Sequence, residues 1–243
     1  MTKDFFAGSV ADSYDLDCAA ASAPEIITPM IDMLATLANA SACLEFAIGT
    51  GRVALPLIAR GITVDGIEFS PDMVRQLRRK PGGADLHVLI GDMATTQTGK
   101  SYGLVFLVFN TIMNLTTQKA QVACFQNAAN HLQPGGTFVV EVMVPELRKY
   151  PPGTTAVPFE ITKSHLGFDA YETSEQKLVS HHVFIAADGT ARYESLPFRY
   201  VWPSELDLMA ELAGMKLISR KADWIGTPFN DDSHKHVSIW EKV

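Results

Sequence analysis

Only three cysteines occur in the 243 residues, and no two of them form a Cys-x-x-Cys pair. Cys18, Cys43 and Cys124 are odd in number, far apart and set among apolar or small neighbours. That spacing reads as free buried thiols in a reducing compartment, and it excludes both a disulfide framework and a cysteine metal site. Basic charge is also scarce. Twenty Lys and Arg against 27 Asp and Glu leave a net charge of −7, which argues against nucleic acid as a partner held by phosphate contacts. The one basic run, Arg75 to Lys80, reads as the solvated face of a helix. No apolar run is long enough to span a bilayer, and Met1-Thr2-Lys3-Asp4 lacks a signal-peptide profile. A soluble, cytoplasmic chain without a membrane partner is therefore expected. His234 and His236 have the spacing of a metal pair, but no carboxylate or cysteine is placed to complete a site, so no metal is expected.

What is present is apolar residue in quantity, 47% of the chain, enough for one core with a small appendage. Its order alternates. Pro24 to Leu37 carries apolar residues at helix spacing, Cys43 to Ala47 is a short strand, and Arg52 to Arg60 is a helix closed by Gly61. A second strand, Ile62 to Glu68, leads to Ser70-Pro71-Asp72, a cap, a first-turn proline and a first-turn acid for the next helix. Strands follow at Leu86 to Ile90 and Tyr102 to Phe109, the latter an apolar run of the kind buried on both faces of a parallel sheet. A helix from Gln118 to Leu132 is capped by Thr117. Gln133-Pro134-Gly135-Gly136 then turns into a fifth strand, Thr137 to Val144. After Pro151-Pro152-Gly153 the pattern becomes β-rich, with Asp188-Gly189 joining two strands as a hairpin. Pro203 restarts the alternation with a helix, and strands at Met215 to Ala222 and His236 to Lys242 end it. The fold expected is a doubly wound, seven-stranded, mostly parallel α/β sheet, Rossmann-like, with a β-rich insertion after strand five. Residues 1–148 and 203–243 would form the α/β core, and residues 149–202 an insertion covering a pocket.

The most informative stretch is Leu44-Glu45-Phe46-Ala47-Ile48-Gly49-Thr50-Gly51-Arg52, with Glu68 closing the next strand. Small residues at Ala47, Gly49 and Gly51 let a ligand approach the backbone, and Glu68 falls where the ribose of a nucleoside lies in an open α/β sheet. A plain strand-to-helix turn needs glycine too. Gly49-Thr50-Gly51-Arg52-Val53-Ala54 also matches the dinucleotide pattern G-x-G-x-x-G/A, so an NAD(P)-dependent oxidoreductase stays open. Against it stand the absence of Tyr-x-x-x-Lys and the presence of Glu45 inside the strand. A non-catalytic nucleoside-binding domain is a third reading.

Together these residues resemble the class I S-adenosylmethionine (SAM) methyltransferases. The stretch from Leu44 to Arg52 looks like that family's first motif, Asp65-Gly66-Ile67-Glu68-Phe69-Ser70 its second, and Gly91-Asp92-Met93 its third. Ser13-Tyr14-Asp15 is similar to the amino-terminal Tyr-Asp of small-molecule members, where a leading helix folds over the site. Ala47 and Ile48 depart from the commoner residues of the first motif. The alanine and the β-rich insertion are shared with amino-sugar N-methyltransferases, the subgroup this chain most resembles. The resemblance implies SAM as cofactor, bound by Glu45, Ala47, Gly49, Thr50, Gly51, Arg52, Glu68, Phe69, Asp92, Met93 and Phe109. Glu68 would accept the ribose hydroxyls, a role Glu68→Gln would keep in part. Asp92 would accept the adenine amino group and Met93 would cover the ring.

Methyl transfer is an in-line displacement at an activated carbon, so positioning of the acceptor's lone pair carries most of the catalysis. Residues after strand four, Asn110-Thr111-Ile112-Met113-Asn114, lack the Asn/Asp-Pro-Pro-aromatic run of nucleic-acid amine methyltransferases. With the acidic charge, this favours a small-molecule acceptor, methylated at nitrogen. Tyr14, Asn110, Glu141 and His165 are the expected acceptor-side residues, with Asn114, His181 and His182 as further candidates. Glu141, the only charge in strand five, is expected to face the cleft and orient an amine or take up its proton. A homodimer stays open at this level.

Overall fold

A computed structural model describes residues 3–243; Met1 and Thr2, part of the amino terminus read above for a signal profile, lie outside it. The sheet at its centre runs β3-β2-β1-β4-β5-β11-β10. These strands are β1 (Cys43–Phe46), β2 (Val64–Glu68), β3 (Val88–Ile90), β4 (Tyr102–Leu107), β5 (Leu132–Met143), β10 (Met215–Lys221) and β11 (Lys235–Lys242). The first five are parallel. β11 runs antiparallel between β5 and β10. All four residues of β1 are buried, as a strand covered on both faces requires. On one face, α2 (Pro24–Ala38) and α3 (Ala54–Ala59) bury Met30, Ile31, Leu34 and Leu57 against Leu104 and Phe106. On the other, α5 (Gln118–His131) and α6 (Pro203–Leu212) bury Phe125, Leu206 and Met209 with Phe138 and Trp240. Strand order reverses at β1 and β4, so the crevice outside their carboxyl ends is where such a sheet takes a ligand.

Among the boundaries that differ from the expected ones, two have a clear local cause. The helix after the glycine loop begins at Ala54, because Gly51 holds φ 81° and the chain passes Arg52 and Val53 before it can turn helical. The turn at Gln133–Gly136 interrupts β5 instead of preceding it. Leu132 pairs with Tyr102 and Thr137 with Leu104, and the residues between loop out with Gly135 at φ 74°.

The β-rich segment forms a separate antiparallel sheet of β6 (Ala156–Ile161), β7 (His165–Glu172), β8 (Lys177–Ile185) and β9 (Ala191–Arg199). Its base is fixed in the main core. Leu178, Tyr200 and Val201 are buried there, and Arg199 bonds Gln121 at 2.5 Å, Glu205 at 2.7 Å and Gln176 at 3.0 Å. A buried guanidinium this fully paired stabilises its surroundings only while every partner is present. The junction is therefore tied to the core by buried polar contacts.

Candidate active site

The glycine loop begins where β1 ends. Ala47, Gly49 and Gly51 all have positive φ, at 52°, 58° and 81°. An L-residue in that region costs about 1–2 kcal/mol, so Ala47 holds a strained conformation that glycine would take freely. Ile48, the other departure from the family pattern, is accommodated from below. A Cβ on Gly66 would lie 2.6 Å from the Ile48 side chain, so the bulk missing at 66 is supplied by 48.

Glu68 ties the loop to the next strand. Its two carboxylate oxygens accept the amides of Gly49 at 2.8 Å and Ser70 at 2.9 Å. Burial pushes its carboxyl up, and the Ser70 and Gly49 amides oppose the shift. Each oxygen has a second lone pair, so both amides and a pair of ribose hydroxyls can be served together. Glu45 is also buried and pushed well up by desolvation, with Arg52 and the Ala54 amide acting against it. Its Oε2 has no hydrogen-bond partner among the described residues. An unpaired carboxylate oxygen at the loop suits a cationic ligand and does not suit a pyrophosphate. Arg52 itself lies over the Phe109 ring, 4.2 Å from its centre.

The amino-terminal segment closes over this loop. In α1 (Ser9–Asp17), Asp15 accepts the Thr50 hydroxyl at 2.6 Å and pairs with Lys80 at 2.6 Å. Asp12 bonds Gln76 at 2.6 Å, and the Phe6 carbonyl accepts the Ser70 hydroxyl at 3.2 Å. Tyr14 points inward, and burial, then the neighbouring Cys18, raises its phenol.

Three hollows meet here. One of about 40 Å³ touches Phe6, Ala47, Glu68 and Phe69. A second, about 30 Å³, touches Tyr14, Glu45, Ala47, Gly49, Thr50, Arg52 and Phe109. The third, about 480 Å³, lies between the sheet's carboxyl end and the β insertion. Phe6, Tyr14, Phe109, Asn110, Thr111 and Met143 form its floor, and Phe159, Asp169, Leu178, Ser180, His182 and Phe198 its roof. Tyr14, Phe109 and Thr111 border both the second and the third.

Most of the expected cofactor residues therefore converge: Glu45, Ala47, Gly49, Thr50, Arg52, Glu68, Phe69 and Phe109. Gly51 is turned under the loop, where a Cβ would lie 3.0 Å from Leu77. Met93 is a correction. Its side chain is 2% exposed and packs in the core with Leu44, Phe46 and Ile67, so it is committed to the sheet instead of covering a ring. Asp92 uses one oxygen to accept the Ala94 amide at 2.9 Å.

On the acceptor side, Tyr14 and Asn110 border the large cavity. Asn110 sits at φ 61° and its Oδ1 accepts the Met143 amide at 2.7 Å, which leaves its Nδ2 toward solvent or ligand. Glu141 does not match its expected role. Its carboxylate accepts the Phe109 amide at 3.1 Å, the Trp224 indole at 2.9 Å and the Lys235 ammonium at 3.1 Å. A buried carboxylate so fully partnered holds the strand-four loop and has little capacity left for an amine. His165 is corrected as well. It stacks on His182 and Phe184, with Nε2 2.9 Å from His182 Nδ1, and it is His182 that reaches the cavity. Sequence reasoning missed Phe6, the pairing of Asp15 with Thr50, and Asp169. Only Asp15 carried a signal, its place in Ser13-Tyr14-Asp15.

The arrangement has known counterparts. Residues 43–136 match the family model described as a methyltransferase domain. Over 103 residues the chain is 33% identical to the dTDP-3-amino-3,4,6-trideoxy-alpha-D-glucopyranose N,N-dimethyltransferase of Streptomyces venezuelae, a match covering 42% of this chain and 43% of that protein. The chain thus spans less than half the length of that curated relative. The solved CcbJ methyltransferase of Streptomyces caelestis is 35% identical, with 88% of each chain covered and a TM-score of 0.81. CalS10 from Micromonospora echinaspora, solved with SAM bound, shares the fold at 17% identity and a TM-score of 0.72, over 100% of both chains. This kinship lends the oxidoreductase alternative no support. The unpaired Glu45 oxygen, the lone pairs of Glu68 and the left-handed loop fit SAM, and the chain belongs to the class I SAM-dependent methyltransferase family.

Proposed function

We propose that the chain transfers a methyl group from SAM to the nitrogen of a small molecule. The observation that carries this reading is the shared wall of Tyr14, Phe109 and Thr111 between the loop hollow and the large cavity. Whatever binds against Glu68 and Gly49 meets, at that wall, whatever fills the space beneath the insertion. SAM supplies the activated methyl; the chain supplies alignment and a dry cavity, the two effects positioning catalysis needs.

Glu68 and Gly49 hold the ribose side in this account, and Glu45 with Arg52 the charged end. Glu141 keeps Phe109 in place through its amide, so it positions the wall and does not touch the acceptor. The hollow beside Glu68, at about 40 Å³, is far below the roughly 300–1,000 Å³ of a small-molecule site. Phe6 must therefore move aside when SAM binds. The insertion, residues 149–202, covers the acceptor. Amino sugars are the acceptor class that the curated relative's own activity favours. No helix among the described residues is long and apolar enough to cross a membrane, and the three free thiols suit a cytoplasmic setting.

The test is turnover. The purified chain incubated with methyl-labelled SAM and a panel of amino sugars should release S-adenosylhomocysteine and place label on the amine. Tight SAM binding with no label transferred to any amine in the panel, alongside rapid labelling of the matching alcohols, would refute nitrogen as the target.

A further inference from the structure

The roof of the large cavity carries one carboxylate, Asp169, on β7. In the register of the insertion, Asp169 lies opposite Ser180 of β8, and Gly167 opposite His182. Alternation along each strand then puts Asp169, Leu178, Ser180 and His182 on one face, and all four border the cavity. Around them the wall is mostly apolar, with Phe159, Leu196 and Phe198 from the insertion and Met113, Met143 and Phe109 from the core, and with Asn110, Thr111 and Asn114 as neutral polar members. No lysine or arginine borders this cavity, and none forms an ion pair with Asp169, among the described residues.

A carboxylate in such a wall is costly unless a cation or several donors satisfy it. Asp169 has only the Ser180 hydroxyl from its own sheet. Ser180 is itself held, with its Oγ 3.2 Å from His182 Nε2, and His182 is stacked on His165. The Ser180 hydroxyl that reaches Asp169 is thereby braced, while no lysine or arginine lines the cavity beside the carboxylate.

We propose that Asp169 is the specificity-determining anchor for the acceptor, binding the ammonium form of its amine and taking up the proton that must leave before the nitrogen lone pair can accept the methyl. The inference rests on the methyltransferase reading and adds the residue that selects a cation over a neutral isostere. Burial pushes the Asp169 carboxyl upward, with the Ser180 bond and His181 opposing, and a bound ammonium would favour its ionised form. Other titratable groups near it are Tyr14 and Cys18 across the cavity, Tyr171 on β7 with Tyr150 against it, His181 on β8, and His182, whose imidazole is pushed down by burial and by His165. Of these only His181 acts on Asp169 as an opposing charge, and it does not border the cavity. His165 and His182, expected as direct acceptor residues, act through Ser180 as positioning residues.

The experiment uses the whole chain saturated with S-adenosylhomocysteine and two probes of one shape, cyclohexylamine and cyclohexanol, titrated by calorimetry at neutral pH. The wild type should bind the amine at least about tenfold more tightly than the alcohol, and that preference should weaken as pH falls and Asp169 protonates. Asp169→Asn should erase the preference, and Asp169→Glu should retain part of it, with cofactor affinity unchanged in both. Equal binding of both probes by the wild type, or a preserved amine preference in Asp169→Asn, overturns the assignment. Loss of cofactor binding in Asp169→Asn also overturns it, by placing Asp169 in the cofactor site. Failure of the wild type to bind S-adenosylhomocysteine would instead count against the methyltransferase reading itself.

Discussion

Replacing Glu68 by glutamine changes one atom and tests how the glycine loop is held. The carboxylate accepts two amides at once, from Gly49 at 2.8 Å and Ser70 at 2.9 Å, and Glu68 is 6% exposed. Glutamine can accept only one of them. Its NH₂ then faces the other N–H, donor against donor, and a buried donor left unsatisfied costs roughly 1–3 kcal/mol. In a chain of this length each kcal/mol moves the melting temperature by about 2–4 °C, so a drop of roughly 4–8 °C is expected for a loss near 2 kcal/mol. SAM affinity should fall by about ten- to a hundredfold, the equivalent of 1.4–2.8 kcal/mol, because the loop loses its brace and the ribose loses an acceptor. The sequence suggested that glutamine would be the milder replacement. The structure predicts that it is no milder than alanine for stability, since alanine at least admits water to both amides. Scanning calorimetry measures the first effect and titration calorimetry the second. A glutamine variant with an unchanged melting temperature would refute the two-amide brace, and one with unchanged SAM affinity would remove Glu68 from the site.

Other outcomes follow from the same geometry. Ala47→Gly should leave stability unchanged or raise it by up to about 1 kcal/mol, because relief of the left-handed strain outweighs the added chain entropy; a melting temperature lower by several degrees would show that Ala47 is not strained. Glu141→Gln should destabilise the fold by roughly 1–3 kcal/mol through its three donors, and an intact melting temperature with a large loss of turnover would restore Glu141 to the chemistry. Glu45 has its folded-state carboxyl raised by burial. Its contribution is therefore fully present below the unfolded value of about 4.3 and is lost as pH rises through the folded one. The melting temperature of the wild type relative to Glu45→Gln should accordingly decline as pH increases from about 4, and a flat difference would contradict a desolvated carboxyl with one unpaired oxygen.

Elements announced by local signals were legible in the sequence. Ser70 caps its helix by accepting the Met73 amide, Thr117 does the same for Ala120, and the hairpin turns at Asp188-Gly189 where two strands flank it. The glycine loop and Glu68 could be read because backbone need and carboxylate placement repeat across nucleoside-binding sheets. What could not be read depends on partners far away in the chain. Glu141 looks unpaired in a run of valines until Trp224 and Lys235 arrive from 83 and 94 residues further on. Met93 follows the expected aspartate, yet the packing of Leu44 and Phe46 takes its side chain inward. Asp169 is an ordinary acid in an ordinary strand, and only the folding of the insertion over the sheet gives it an apolar cavity to face.

The central claim is that the cleft at Gly49 and Glu68 binds SAM. Titration calorimetry of the purified chain with SAM, and in parallel with NAD, tests it most directly. Saturable heat with SAM and none with NAD is the predicted result. Saturable binding of NAD without binding of SAM would contradict the account.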